Sequence, residues 1–119
     1  MQDRLSELSM DFAIRIVRLS QQLENSNEYV LSRQVRKSGT SVGANLREAK
    51  FAQSKADFVS KLQIALKEAA ETDFWLELLY RTSYLEAEAY QALNELCRQI
   101  RALLIVSIKT ARFNSQINP

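Results

Sequence analysis

Helix-breaking residues are scarce in this chain of 119 residues. It contains two glycines, Gly39 and Gly43, and one proline, Pro119. Because Gly and Pro most often mark turns, their scarcity predicts long helices joined by short connections. Hydrophobic residues make up 46% of the sequence and charged residues 25%, which is ordinary for a soluble globular protein. We therefore expect one all-α domain over residues 1–119.

Four segments carry apolar residues at alternating steps of three and four, the period of a helix. The first follows Asp3 and ends at residues 25–27, the second begins near Glu28, the third covers residues 55–80 after a Ser54 N-cap, and the fourth follows a turn at residues 82–85. Four helices with three short connections predict an antiparallel up-down-up-down bundle. Residues 114–119 are expected to form a frayed tail.

The residue types needed for common catalytic and metal sites are missing or isolated. The sequence has no His, which excludes a Ser–His or Cys–His pair and the most common metal ligand. Cys97 is the single cysteine, and a lone Cys in a helical pattern is typical of a small buried apolar residue. We expect no catalytic residues, no metal and no cofactor, and therefore a protein that is not an enzyme.

Apolar stretches are short throughout the chain. None approaches the ~20 residues of a membrane span, and the first residues carry acids rather than the pattern of a signal peptide. We expect a protein without membrane contact, located in the cytoplasm.

Charge is segregated along the sequence although the net charge is only +2. Residues 33–55 hold six bases and one acid, residues 68–88 hold six acids and one base, and residues 98–112 hold four bases and no acid. Five bases of the first segment form what we call the basic stripe: Arg33, Arg36, Lys37, Arg47 and Lys50. The stripe could neutralise phosphates, or it could be a solvated face paired with Glu48, Glu28 or acids of the third helix. No aromatic residue interrupts it, so contact with nucleic acid would involve backbone and shape rather than base stacking.

Small residues occupy the middle of the same segment, between Ser38 and Gly43. Gly inside a helix costs roughly 1 kcal/mol relative to Ala, so a compensating role is expected. One role is close approach of a large residue from a neighbouring helix, such as Phe12, Phe74 or Trp75. The other is a backbone surface open to a ligand, although no phosphate-loop pattern is present.

The stretches SRQVRKSGTSVGANLREA and SKADFVSKLQIALKEAAETDFWLELL resemble the four-helix-bundle proteins called 23S rRNA intervening-sequence proteins. The matching positions are Arg36-Lys37, Ser41-Val42, Ala44-Asn45, Glu48, Phe58 and Glu71. The sequence departs from the usual pattern of the family at Gly43, where many members have Pro, and near Ala49, where many have Gly. The family is also similar to the accessory protein of diversity-generating retroelements. That resemblance implies a homo-oligomeric ring, with a pentamer favoured, a basic surface for RNA or DNA, and a reverse transcriptase as a possible protein partner.

Two further groups complete the predictions. Ser41, Asn45 and Glu71 are expected to form a hydrogen-bonded structural cluster between the second and third helices. Phe74, Trp75 and Leu78 widen the apolar surface of the third helix beyond what an isolated bundle needs, which favours an oligomer interface over a thick core. The sequence thus predicts an oligomeric, non-enzymatic bundle with a basic nucleic-acid-binding surface; the alternative is a protein-interaction scaffold or accessory subunit without nucleic-acid binding of its own.

Overall fold

Four helices account for most of the chain: α1 (Asp3–Asn25), α2 (Tyr29–Ala49), α3 (Lys55–Arg81) and α4 (Ala87–Ile117). The structure, a computed structural model, describes the backbone of residues 3–117 and the side chains of residues 4–114. No strand occurs within residues 3–117, which confirms the predicted all-α class. Each helix packs against the next and α1 also packs against α4, in a bundle of 52 × 22 × 20 Å.

Local capping explains where the helices begin and end. Ser54 accepts a hydrogen bond from the Asp57 amide at 3.0 Å, and Asp57 accepts one from the Gln53 amide at 3.2 Å, so the predicted cap of α3 is confirmed. Glu28 caps α2 by accepting from the Leu31 amide at 3.2 Å. Asn27, between α1 and α2, has a φ of 64°, a conformation that Asn tolerates better than most residues.

The predicted apolar stripes form the core. Phe12, Ile16, Val42, Leu62 and Leu76 are fully buried. Cys97 is 1% exposed and its thiol lies 3.4 Å from the Ala69 carbonyl oxygen, as expected for a small buried residue.

Gly39 lies where the side chain of Ile16 in α1 packs directly against the backbone of α2. A Cβ atom at this position would lie 2.7 Å from Ile16 Cγ2, a distance that two carbon atoms do not tolerate. Close approach therefore explains Gly39, but the neighbouring side chain is Ile16 and not Phe12, Phe74 or Trp75.

The tail differs from its prediction. Helix α4 continues through Ile117, so residues 114–117 are helical rather than frayed. Residues 87–117 contain no Gly or Pro that would end the helix earlier. Residues 118 and 119 lie outside the described part of the chain.

Membrane-spanning helices and metal-binding clusters are absent from the described residues. No helix among them is long and apolar enough to cross a membrane, and they contain no group of three or more metal-binding side chains.

Candidate nucleic-acid interface

Four bases of the basic stripe project from the outer side of α2 and from its C-cap, Lys50. Arg33, Lys37, Arg47 and Lys50 are exposed, and at ~100° per residue they fall on one side of the helix. The distance along the helix from Arg33 to Lys50 is about 26 Å at ~1.5 Å per residue. This row is long enough to contact several consecutive phosphates of a nucleic acid.

Arg36, the fifth member, is tied to α1. Its Nη2 donates to Glu24 Oε2 at 3.0 Å and its Nε donates to Ser20 Oγ at 2.8 Å. The same Glu24 oxygen accepts from Ser32 Oγ at 2.8 Å. Arg36 therefore joins the two helices, and its charge is already balanced by a carboxylate.

The acids that were candidates to neutralise the stripe have other partners. Glu48 pairs with Lys61 of α3 at 3.3 Å, and Glu28 accepts from the Tyr84 hydroxyl at 3.3 Å. None of Arg33, Lys37, Arg47 and Lys50 forms an ion pair with a carboxylate of residues 4–114. Their positive charges remain available to an anionic ligand from solution.

The fold extends the basic surface around one end of the bundle. Lys55 lines one hollow together with Lys50 and a second hollow together with Arg4 and Phe58. The second hollow also includes Thr110 of α4, so part of the segment 98–112 borders this end, and the bases that line the hollow are Arg4 and Lys55. Arg4 and Lys55 were not predicted to belong to the site. The segregation of charge was the available signal, but it does not say which segments become neighbours.

Aromatic side chains flank the stripe without interrupting it. Tyr29 precedes it and is 53% exposed, and Phe51 follows it and is 79% exposed. The Tyr29 hydroxyl donates to Asn27 Oδ1 at 3.2 Å. Neither aromatic residue was predicted to belong to the site, because both lie outside the stripe in the sequence.

The predicted polar cluster does not form. Ser41 donates to the Lys37 carbonyl at 2.6 Å, Asn45 donates to the Ser41 carbonyl at 2.8 Å, and Glu71 accepts from Trp75 Nε1 at 3.1 Å. Each of these hydrogen bonds stays within one helix. Besides the Glu48–Lys61 ion pair, α2 and α3 are joined by a buried hydrogen bond from Thr72 Oγ1 to Ser38 Oγ at 2.9 Å.

The aromatic side of α3 is partly exposed. Phe74 is 58% exposed and packs edge-on against Trp75, with ring centroids 5.1 Å apart. Trp75 packs against the core, and Leu78 is half-buried. Ile64, which lies ten residues before Phe74 on the same helix, is 38% exposed. The structure thus places an apolar surface where an oligomer interface was predicted.

Glu95 and Cys97 have shifted pKa values, and both lie on α4, away from the basic stripe. Burial raises the pKa of the Cys97 thiol to about 12, so this thiol stays protonated and is a poor nucleophile. Hydrogen bonds from Arg98 and Gln99 lower the pKa of Glu95 to about 2. Glu95 is an exposed, ionised carboxylate next to its partners on α4, without the raised pKa of a general acid.

Comparison with known proteins shows where this bundle belongs. The family model described as 23S rRNA-intervening sequence protein matches residues 3–106. The chain belongs to this family. The family resemblance identified from the stretches around Gly39 and Phe58 is therefore confirmed, and it covers all of α1, α2 and α3.

A solved structure agrees with this family assignment. It is the 1.70 Å crystal structure of a protein with unknown function from the S23 ribosomal protein family of Bacteroides thetaiotaomicron VPI-5482. The two sequences are 53% identical, the TM-score is 0.87, and the match covers 88% of this chain and 98% of that chain. Comparison with curated proteins gives no match.

Proposed function

We propose that this member of the 23S rRNA-intervening sequence protein family is a non-enzymatic, homo-oligomeric bundle that presents α2 to RNA or DNA. The observation that carries the proposal is the row of four exposed bases on α2 and its C-cap, Arg33, Lys37, Arg47 and Lys50, which lack ion pairs within residues 4–114. A row of unneutralised bases on a rigid helix binds phosphates by releasing counterions from the nucleic acid.

Recognition in this proposal is of backbone and shape. The bases between Arg33 and Lys50 are separated by small and polar residues, and no aromatic side chain lies between them on which a base could stack. Phosphate contacts carry little sequence information, so similar affinity is expected for RNAs of different sequence.

The proposed assembly is a ring of antiparallel bundles, with a pentamer favoured by the resemblance to the retroelement accessory protein. The antiparallel order is supported by the contacts of Ser20 with Ser32 and of Ile16 with Gly39, because the residue number rises in one helix as it falls in the other. The exposed Phe74 supports an interface on α3. A ring would repeat the basic stripe and strengthen binding through multivalency.

Two accompanying proposals concern activity and location. The absence of His from the sequence and the buried, protonated Cys97 thiol support a role without catalysis. A single cysteine without a pairing partner in the same chain fits the reducing cytoplasm.

The second candidate function is a protein-interaction scaffold or an accessory subunit, for example of a reverse transcriptase. The observation in its favour is again Phe74, which is 58% exposed beside Trp75, since aromatic residues are enriched at protein interfaces. In this case the basic stripe would meet an acidic partner rather than a nucleic acid.

Fluorescence anisotropy with labelled single-stranded RNA, structured RNA and duplex DNA tests the proposal. Wild type is compared with a variant carrying Arg33→Gln, Lys37→Gln, Arg47→Gln and Lys50→Gln, and with a control carrying Arg18→Gln and Lys67→Gln, two exposed bases on other helices. We expect micromolar or tighter binding by wild type and the control, and at least a tenfold loss in the fourfold variant. Absence of binding by wild type at low salt would overturn the proposal and favour the scaffold.

A further inference from the structure

Gly43 has no structural explanation of the kind that Gly39 has. It lies inside α2 without a positive φ, so the backbone does not require glycine there. A Cβ atom at Gly43 would have its nearest neighbour, the Ser9 carbonyl oxygen, at 3.6 Å, which is an ordinary contact. Alanine would fit and would favour the helix, yet the chain carries glycine.

The missing side chain leaves a groove between α1 and α2, which we call the Gly43 groove. Its volume is about 260 Å³, several times the roughly 30 Å³ that one water molecule occupies in the liquid. Polar lining comes from Ser6, Ser9, Thr40 and Arg47, and the remaining walls include the methyl groups of Ala13 and Ala44. The groove adjoins the basic stripe, because Arg47 belongs to both.

Two hydroxyl groups at this groove lack partners. Ser6 Oγ and Ser9 Oγ are buried and form no hydrogen bond with the described residues 4–114, and Ser9 is only 1% exposed. Leaving a buried hydroxyl unpaired is unfavourable.

Other buried serines of the protein differ from this pair. Ser20 donates to the Val17 carbonyl at 2.7 Å, Ser32 donates to the Ser20 carbonyl at 3.0 Å, and Ser38 donates to the Val35 carbonyl at 3.4 Å. Unpaired hydroxyls beside an unexplained glycine indicate a ligand with hydrogen-bond acceptors.

We propose that the Gly43 groove binds one phosphate group, with Arg47 as the cationic partner and Ser6 and Ser9 as hydroxyl donors. The point that a Cβ of Gly43 would occupy lies 3.7 Å from Ser9 Cβ. Rotation about χ1 moves Ser9 Oγ between staggered positions, so the hydroxyl can turn towards an oxygen of a phosphate held in the groove over Gly43.

Phosphate is the anion that this arrangement favours. Hydroxyl donors approach from α1 and a guanidinium from α2, so an anion with acceptor oxygens on several sides satisfies more of them than a planar carboxylate does. The identification of this phosphate as part of a nucleic-acid backbone rests on the function proposed above. The groove itself is tested without nucleic acid.

Titration with inorganic phosphate, followed by ¹⁵N NMR, tests the groove directly. The chain has only two glycines, so their amide signals are readily assigned, and the buried Gly39 is an internal control for Gly43. We expect a saturable shift of the Gly43 amide with phosphate, no comparable shift with sodium chloride at equal ionic strength, and no saturation in Ser9→Ala. Equal shifts of both glycines, no shift, or a stronger response to acetate would overturn the proposal.

Anisotropy with labelled RNA identifies the source of the phosphate. Gly43→Ala places a methyl group on the wall of the groove against which the phosphate would lie, and Ser9→Ala removes one donor without adding bulk. Both should keep a melting temperature at or above that of wild type and bind RNA about tenfold more weakly, whereas Ser60→Ala, at an exposed serine of α3, should bind as wild type does.

The phosphate titration and the RNA anisotropy together distinguish the Gly43 groove from the proposed binding of nucleic acid by the basic stripe. RNA binding that is unchanged in Gly43→Ala and Ser9→Ala would overturn the groove as a contact for nucleic acid while leaving the basic stripe intact. A wild type that binds phosphate at Gly43 but no RNA would overturn the proposed function and assign the groove to free phosphate.

Discussion

Single residues set the distance between α1 and α2. At Gly39 the α2 backbone meets Ile16, which is fully buried and branched at Cβ, so it cannot turn aside easily. Close approach of a neighbouring helix was predictable from the small residues of α2. Ile16 was not predictable as the partner, because the partner depends on the relative position of α1 and α2 along their axes.

Gly39→Ala should destabilise the bundle. The added Cβ would lie 2.7 Å from Ile16 Cγ2, and overpacking of this kind costs about 1–3 kcal/mol, which the better helix propensity of Ala only partly offsets. Thermal unfolding should show a melting temperature several degrees below that of wild type. Gly43→Ala is the matched control, and equal melting temperatures for the two variants would contradict this account of Gly39.

Polar side chains in helix interiors were the least predictable residues. Ser41 and Asn45 were expected to reach α3 but bond to carbonyls four residues earlier in α2. Short polar side chains in helices commonly do this, since the carbonyl of the preceding turn is always within reach. The inter-helix pair, Ser38 with Thr72, was missed because each residue was interpreted only by its size or its place in an apolar seam.

Helices α1 and α2 are joined by a partly buried network of hydrogen bonds as well as by apolar contact. Arg36 links Ser20 and Glu24, and Ser32 bonds to the same Glu24 oxygen. Helix ends were predictable because caps such as Ser54 act within a few residues. This network was not, since it joins residues 12 and 16 positions apart across two helices.

Arg36→Gln should weaken the α1–α2 pair more than Arg33→Gln does. Both changes remove one positive charge, but Arg33 forms no ion pair with residues 4–114, whereas Arg36 holds Glu24 at 3.0 Å. Because both partners are partly exposed, the expected loss is about 1 kcal/mol. Urea unfolding of the two variants measures the difference, and a loss as large in Arg33→Gln would argue against a special role for Arg36.

The molecule as a whole has a basic surface along α2 that continues around one end of the bundle, and an apolar surface on α3. Stripes of apolar residues were sufficient to predict four helices and their core, because burial follows helical period. The convergence of Arg4, Lys50 and Lys55 around one end depends on the packing of α1, α3 and α4 and could not be read from local patterns.

Phe74→Asp should reduce the size of the assembly in solution. Phe74 is 58% exposed, so a charge there leaves the monomer core intact but opposes burial in an interface. Light scattering should give a multiple of the monomer mass for wild type and a smaller mass for the variant. Val30→Asp, at a residue of α2 that is 64% exposed, is the control. A variant with the wild-type mass would exclude Phe74 from the interface.

The salt dependence of RNA binding tests the basic surface of α2 most directly. The logarithm of the binding constant is measured against the logarithm of salt concentration for wild type and five single variants: Arg33→Gln, Arg36→Gln, Lys37→Gln, Arg47→Gln and Lys50→Gln. Each base that neutralises one phosphate contributes about 0.7 to the slope for a single strand. The slope should fall in four of the variants and stay unchanged in Arg36→Gln, because Glu24 already balances that charge. Equal slopes in all five variants and wild type would contradict phosphate binding by this surface.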